Sequence, residues 1–430
     1  MKRKIIKKTG TIVISAIGSI VADVILLFLL LLIPAVQTFI GKQVAAYLSD
    51  ELHAKVTIDQ ISISPSLLIN LKNVYISDQH YNPMIASDKI IVAISSIAPF
   101  KQNLKIKSIT LNQGQVYLKK YASDEALNIK FFTDYFSSKD TISSKKKWHI
   151  TSQTIALRNS KFSYHNYHKL PINKVGKIDI NHLELLKVNG DFSRLNIKGD
   201  TIRTTIKNFS INDRSGFGIK TLSGEATIYP GAFKMSRMAL KTANSKLFAN
   251  IALTYHNPSD FMDFENKVII NTQFYKSAIN TKDLSFFIKN VPLFENEIKF
   301  NATVTGTINN LNIKQLSASF GKNSAISMQA RVQKITHVKD LIIDGKLNEL
   351  TTSAEDIQQI HFPQSKLVVI PPGVSQLGII KANGKFDGTL DNFDTKLSVK
   401  TDAGNAESTI KYITQGKQIN YVAMVSSPGF

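Results

Sequence analysis

Two stretches of the chain have nearly the same sequence: IKFNATVTGTINNL at 298–311 and IKANGKFDGTLDNF at 380–393. They share the opening Ile-Lys pair, an Asn directly after the third residue, a Gly-Thr pair and a later Asn. Segments that recur along a chain are typical of repeat architectures, in which one supersecondary unit is used more than once. We therefore predict that Gly306 and Gly388 mark equivalent bends between strands. A chance likeness of two strand–turn–strand segments is the alternative.

The hydrophobicity around these stretches alternates with the period of a β-strand. The alternation is clearest in 247–255, 298–305 and 326–333, where apolar residues are separated by mostly small or polar ones. Because successive side chains of a strand point to opposite faces, each segment predicts a strand with one apolar face and one polar face. The residues that we assign to the apolar face are Leu247, Ile251, Leu253, Ile298, Phe300, Val304, Ile326, Met328 and Val332.

An apolar sheet face has to be covered, and few helical patterns follow residue 136. Two arrangements are open at this point. Either two sheets face each other in a sandwich, or one long sheet curls into a trough whose apolar lining contacts another molecule. Composition favours the sandwich, whereas the recurring segment favours stacked repeats that contact mainly their neighbours.

The amino terminus predicts where the protein is located. Residues 1–10 contain five basic side chains, and 11–36 form an apolar run whose one charged residue is Asp23. This run is long enough to span a bilayer core, and basic residues flanking a span remain in the cytoplasm. We expect a single-pass membrane anchor at 11–36, a cytoplasmic segment at 1–10, and a location outside the cytoplasm for the rest. A cleaved signal peptide is the alternative.

The residues after the predicted anchor have a helical period. Residues 37–55 predict an amphipathic juxtamembrane helix that caps or docks onto the following strands, since apolar residues recur there at spacings of three to four. Its predicted apolar face consists of Phe39, Ile40, Val44, Leu48 and Leu52. A short helix is possible at 126–136, and the Ser- and Lys-rich segment 137–147 predicts an exposed linker or loop.

Composition limits the classes of function. The 430 residues carry a formal net charge of +21 and include no cysteine, which excludes disulfides and thiolate metal sites. A basic protein favours anionic partners, but a location outside the cytoplasm argues against nucleic acid. His165 and His168 lack a third ligand at a fixed spacing, and a calcium site at Asp387, Asp391 and Asp394 is no better supported than turn chemistry. We predict no enzyme activity, no metal and no cofactor.

Several of these segments together resemble the AsmA-like proteins, and within them the TamB-like group of Gram-negative bacteria. The resemblance covers nearly the whole chain. It rests on the anchor, on the opening segment 44–94, on 106–120, 128–136, 240–255 and 279–288, and on the paired GTINNL and GTLDNF phrases. It implies an AsmA-like β region at 56–136 and a repetitive β-groove region at 148–430. TamB-like proteins extend further into a characteristic carboxyl-terminal domain, so we expect this chain to be either a fragment or an early-terminated copy.

The complete expectation is a mainly β protein: an N-terminal transmembrane helix followed by an elongated, curled antiparallel β-sheet groove built of repeats. The resemblance implies that such a groove carries phospholipid between the inner and outer membranes. The alternative is an envelope scaffold that assists the assembly of outer-membrane barrel proteins by offering them sheet edges. In both hypotheses the chain contacts the inner membrane through its N-terminal helix.

Overall fold

The computed structural model describes residues 29–30, 32–101, 103–137, 149–172, 175–198, 200–288, 291, 293–294, 296–337, 340–361, 372–389, 391–415 and 418–427. The predicted cytoplasmic segment 1–10, most of the predicted anchor 11–36 and nearly all of the predicted linker 137–147 lie outside these residues. No helix within the described ranges is both long and apolar enough to cross a bilayer.

The fold is mainly β, as predicted: strands account for 63% of the structure and helices for 14%. Contacts divide the chain into two units, residues 1–168 and 169–430. The elements of the first unit are α1 (Pro34–Leu52), β1 (Val56–Ile63), β2 (Leu68–Ser77), β3 (Pro83–Ala98), a 3₁₀ turn (Pro99–Lys101), β4 (Asn103–Asn112), β5 (Gln115–Lys120), α2 (Lys130–Ser137) and β6 (His149–Asn166).

The sheet of the first unit differs from the prediction, because it is not antiparallel throughout. Strands β1, β2 and β3 pair antiparallel in order, and both β4 and β5 pair antiparallel with β3. Strand β6, however, runs parallel to β4 and β5. A parallel pair needs a long crossover instead of a hairpin, and α2 lies in the connection between β5 and β6. The helix expected within 126–136 is therefore part of this crossover.

Helix α1 covers the outer edge of β1. The side chain of Gln37 imitates a strand residue, since its Oε1 accepts from the Ile63 N–H at 2.7 Å and its Nε2 donates to the Ile63 carbonyl at 2.8 Å. The Thr38 hydroxyl bonds both backbone groups of Ile61 in the same way. A Cβ on Gly41 would lie 2.1 Å from Ile61 Cδ1, so the glycine leaves room for the Ile61 side chain beneath the helix. The covered edge cannot accept another strand.

The face of α1 that packs on β1 is not the predicted one. The helix buries Gln37, Gly41, Ala45 and Leu52, whereas Phe39, Ile40 and Val44 are exposed. The physical reason is that covering a strand edge requires hydrogen-bonding and small side chains, which periodicity in hydrophobicity does not detect. Leu52, which was on the predicted face, does enter the apolar cluster with Ala45, Ala54 and Val56.

The second unit is an antiparallel meander. Each strand from β7 to β22 pairs antiparallel with the next one along the chain, except that β13 and β18 form a separate two-stranded sheet. The first strands are β7 (His182–Lys198), β8 (Thr201–Asp213), β9 (Gly218–Tyr229), β10 (Ala232–Lys241), β11 (Lys246–Thr254), β12 (Ile269–Ile279), β13 (Leu293–Phe294), β14 (Ile298–Thr307) and β15 (Asn310–Phe320). The remaining strands are β16 (Ser324–Gln333), β17 (Ile342–Ser353), β18 (Ile360–His361), β19 (Ile379–Thr389), β20 (Asn392–Thr401), β21 (Gly404–Gln415) and β22 (Gln418–Ser426).

The helices of this unit are short. They are a 3₁₀ turn (Pro258–Asp263), α3 (Phe264–Lys267), α4 (Thr281–Leu284), α5 (Ala354–Gln358) and α6 (Pro372–Ser375). The second sheet has two strands, which is too small to cover the face of the first. Among the residues that the structure describes, the sandwich alternative is therefore not supported.

The two quoted phrases fold alike. Gly306 and Gly388 adopt positive φ angles of 116° and 134°, and a Cβ on either would lie 2.2 Å from a backbone oxygen, of Asn310 or Asn392 respectively. Each glycine precedes the tight turn of a hairpin, pairing with Leu311 in one case and with Phe393 in the other. The likeness in sequence therefore reflects two equivalent hairpins.

A second feature repeats with the hairpins. Asp283 in α4 accepts hydrogen bonds from the side chains of Asn244 at 2.9 Å and Ser245 at 2.5 Å, which belong to the β10–β11 turn. Asp356 in α5 accepts from the N–H groups of Lys322 and Asn323 at 2.9 and 2.7 Å, in the β15–β16 turn. In both cases the hairpin is followed by one more strand and then by a one-turn helix, and an Asp of that helix binds the turn of the hairpin. The repeat thus comprises four long strands: β10, β11, β12 and β14, then β15, β16, β17 and β19.

Bulges bend the strands of the repeat. Arg237 in β10 and Lys276 in β12 adopt positive φ angles at shifts of strand register. The Arg237 N–H donates to Asn250 Oδ1 at 2.9 Å, and the Lys276 N–H donates to Asn301 Oδ1 at 2.8 Å. Asn301 is the first Asn of the quoted phrase, so its role is to satisfy a backbone group that the bulge removes from the ladder.

Candidate functional site: one apolar sheet face

The nine residues predicted for an apolar face all lie on the same face of the second unit's sheet. Residues that pair directly across an antiparallel ladder point to the same side. One such row runs from Ile251 through Thr272, Val304 and Ile313 to Ala330. The other candidates follow from parallel rows and from the alternation along each strand: Leu247, Leu253, Ile298, Phe300, Ile326, Met328 and Val332.

Residues from the intervening strands complete this face. Phe274 of β12 pairs with Ala302, and its ring centroid lies 5.4 Å from that of Phe300. Further along the sheet Phe386, Phe393 and Tyr412 stack in sequence, with centroids 5.2 and 5.1 Å apart. The other members that sequence reasoning missed are Met235, Met238, Leu311, Leu316, Ile343, Leu347, Leu350 and Leu397.

The omission has a physical cause. A bulge in β15 separates Ile313 from Leu316, so these two residues share a face at a spacing of three instead of two. The same irregularity divides Leu347 from Leu350 in β17. A search for strict alternation misses such strands, but an apolar spacing of three flanked by alternation would have indicated a bulged strand.

The extent of burial distinguishes this face from the closed core of a sandwich. Eight of the nine predicted residues are partly buried, and only Val332, which is 6% exposed, is fully buried. Other fully buried apolar residues of this face include the cluster of Met235, Met238 and Ala249, and Ala302, Leu311 and Ala330 further along the sheet. Side chains between the layers of a sandwich would be close-packed on all sides. The apolar face is therefore accessible along much of its length within this unit.

The opposite face is polar and exposed. Lys346, Lys385 and Lys396 pair directly across β17, β19 and β20. Two residues along each strand, a matching row consists of Asp344, Asp387 and Asp394. Like charges directly opposite are unfavourable, but each row lies beside a row of the other sign. This face suits contact with water.

The acidic and histidine residues noted in the sequence have structural roles. Asp394 lies 3.5 Å from Lys411 Nζ, and the Asp391 carbonyl accepts from Thr414. His168 Nε2 lies 3.1 Å from the Asp124 carbonyl oxygen, while His165 stacks near Tyr167. Within the described part of the chain, no group of three His, Asp or Glu residues is arranged to hold a metal ion.

The buried carboxylate of Asp356 is the clearest electrostatic feature near the apolar face. Burial raises its pKa, but the N–H groups of Lys322 and Asn323 and the hydroxyl of Ser324 outweigh burial and leave the pKa below its usual value. Asp356 is therefore ionised at neutral pH and orders the hairpin tip at one end of β15 and β16.

A cavity of about 420 Å³ lies beside Lys276, Glu297 and Lys299. Its other lining residues belong mainly to the polar face, and Phe300 is the one predicted candidate among them. The cavity therefore does not mark the apolar surface, which is an open face and not an enclosed pocket.

Comparison with family models, with curated proteins and with solved structures finds no match to this chain.

Proposed function

We propose that this chain is an inner-membrane-anchored periplasmic protein whose apolar sheet face curls into a groove and carries phospholipid between the inner and outer membranes. The observation that supports this most is the single face shared by Leu247, Phe300 and Met328, which is continuous across strands and only partly buried. The proposed identity is an AsmA-like protein of the TamB-like group, on the resemblance of its sequence.

The acyl chains of a phospholipid that crosses an aqueous compartment need continuous shelter from water. Exposing a methylene group to water costs about 0.8 kcal/mol. Moving a phospholipid with about 30 methylenes from a bilayer into water would therefore cost on the order of 25 kcal/mol of free energy. Strands in a sheet lie about 4.8 Å apart, so the five strands β11, β12, β14, β15 and β16 extend over about 19 Å. Half of a bilayer core is about 15 Å thick, which one acyl chain spans. This part of the face can therefore hold one chain along its length.

The head group would remain in water at the edge of the face. Acyl chains would contact the face through Ile251, Phe300, Val304 and Met328, whose partners across the ladder are also mainly apolar or small. No covalent step is needed, so the proposal requires no catalytic residue and no cofactor.

Photo-crosslinking tests the proposal. A photoreactive amino acid is placed at Phe300 or Met328 on the apolar face, or at the matched positions Lys299 or Gln329, which are exposed on the polar face of the same strands. We expect phospholipid adducts at Phe300 and Met328 and none at the two controls. Equal labelling of both faces, or only protein adducts at Phe300 and Met328, would contradict lipid carriage.

The scaffold hypothesis is the second candidate, and the same crosslinks separate it from lipid carriage. Adducts with an outer-membrane barrel protein alone at Phe300 and Met328 would support β-augmentation, whereas phospholipid adducts there would contradict it.

A further inference from the structure

Helix α1 carries a second apolar row beside the row that packs on β1. Val36, Ile40, Val44 and Tyr47 follow one another at spacings of three to four and therefore share one side of the helix. Ile40, Val44 and Tyr47 are 43, 50 and 59% exposed. The row that covers β1 lies one residue further along the chain, about 100° around the helix, so α1 presents two different apolar sides.

The start of α1 allows this row to lie along a surface. Ile33 precedes the helix with an extended backbone, φ −72° and ψ 121°, and Pro34 occupies the first turn. The helix direction is therefore not a continuation of the residues before it. A helix rises about 1.5 Å per residue, so an α1 standing upright on a bilayer would place Tyr47 about 20 Å above Pro34. An α1 that lies flat would instead keep the whole row at one depth.

The sequence before α1 indicates what covers the row. The apolar run 11–36 leads directly into the helix, and Leu29 and Leu30 are also exposed at its start. Helices that lie in a membrane interface bury an apolar side about 5–10 Å deep, with aromatic residues at the level of the head groups. Phe39 and Tyr47 are exposed aromatic residues on α1, which fits that position.

We propose that α1 lies flat in the interface of a phospholipid bilayer, with Val36, Ile40, Val44 and Tyr47 directed toward the acyl chains. This inference rests on the membrane anchor of the proposed function. Because the other side of α1 is fixed to β1 through Gln37 and Thr38, the helix would hold the first strand of the chain's first sheet at the lipid surface. The first unit would thus begin where lipid is available.

Environment-sensitive labelling tests the inference, and the absence of cysteine makes it direct. Single-cysteine variants Val44→Cys and Ala46→Cys of the full chain are labelled with a small fluorophore and reconstituted in vesicles of phosphatidylethanolamine with a minor share of phosphatidylglycerol. Both residues are exposed, but they lie on nearly opposite sides of α1. We expect a blue-shifted emission at position 44, with several-fold stronger quenching by lipids that carry a nitroxide on the acyl chain. Position 46 should instead be quenched by aqueous iodide.

The outcomes separate this inference from lipid carriage. Equal access of iodide to both labels overturns the flat orientation, and a blue shift at 44 without nitroxide quenching overturns it in favour of a protein partner. Failure of the labelled chains to float with the vesicles overturns the anchor and this inference together. Lipid adducts at Phe300 combined with a water-exposed label at 44 would retain the groove and reject the interface helix.

Discussion

The first unit closes an apolar cluster beneath α1, whereas most of the predicted residues on the second unit's apolar face are only partly buried. In the first unit, Ala45 and Leu52 of α1 pack on Val56, and Phe131 and Phe132 of α2 contact the same cluster. In the second unit no described helix is longer than the five residues of α5, apart from the six-residue 3₁₀ turn. In this protein α1 and α2 close an apolar cluster of the first unit, and the meander of tight hairpins in the second unit supplies no helix of that length among the described residues.

The largest expected effect is in the sealed cluster. Leu52→Ala should destabilise the contact between α1 and β1 by about 2–5 kcal/mol, because Leu52 is only 4% exposed and its removal leaves a cavity. Amide hydrogen exchange in residues 45–63 measures the free energy of local opening. Exchange unchanged in this segment would show that the cluster is not closed.

The next effect concerns the turn that Asp356 orders. Asp356→Ala should cost about 2–3 kcal/mol, because the N–H groups of Lys322 and Asn323 lose a charged acceptor in a buried place. Hydrogen exchange of these two amides reports it. The control is Asp344→Ala on the exposed face, for which we expect a change within about 0.5 kcal/mol. Equal effects of the two variants would show that Asp356 does not specifically order the β15–β16 turn.

The equivalence of the two hairpins predicts equal costs. Gly306→Ala and Gly388→Ala should each destabilise their hairpin by about 1–3 kcal/mol, because the new Cβ would collide with a backbone oxygen at a positive φ. Gly373→Ala is the matched control, since nothing lies within 4 Å of its Cβ position. The measurement is local hydrogen exchange around each turn, and a large cost at only one glycine would argue against a true repeat.

A smaller effect is expected on the open face. Met328→Ala should destabilise by about 1 kcal/mol, less than Leu52→Ala, because Met328 is only partly buried before the change. Adding phospholipid should protect the β15–β17 amides in the unmodified chain more than in this variant. A cost as large as that of Leu52→Ala would show that the face is sealed like the first cluster.

The smallest effect is the loss of stability of the β15–β16 turn, which Asp356 orders, at acidic pH. The folded-state pKa of Asp356 is below its ordinary value, so its stabilising contribution is complete above the unfolded pKa of about 3.9 and is lost as pH falls through the folded pKa. Exchange rates of the Lys322 and Asn323 amides, corrected for the intrinsic effect of pH, should therefore rise in that acidic range. Among the described residues of the Gly388 hairpin, the Asp391 and Asn392 N–H groups donate to the Thr389 hydroxyl and not to a carboxylate, so their exchange should not show this change.

Much of the candidate site could be predicted because alternation in a strand is a local property. All nine predicted residues share one face, since each lies in a segment where the period of two is preserved. Leu316 and Leu350 could not be predicted in this way, because the bulges before them depend on pairing with another strand. The use of that face to carry lipid stays a prediction.

The amphipathic helix shows where local reasoning failed. Its presence follows from periodicity, but the side that packs on β1 contains Gln37 and Gly41, which no hydrophobic pattern selects. Gln37 was needed because Ile63 has unpaired backbone groups at a sheet edge, and the position of that edge exists only after the strands have paired.

The sequence by itself determined a mainly β chain with one-sided strands, a recurring glycine hairpin and a helix near residue 40, because these features depend on neighbouring residues. Only the tertiary structure decided that β6 runs parallel to β4, that Asp283 and Asp356 hold distant hairpin tips, and that one sheet face remains accessible. Those features join residues far apart in the chain, so their free energies depend on which strands meet and not on local periodicity.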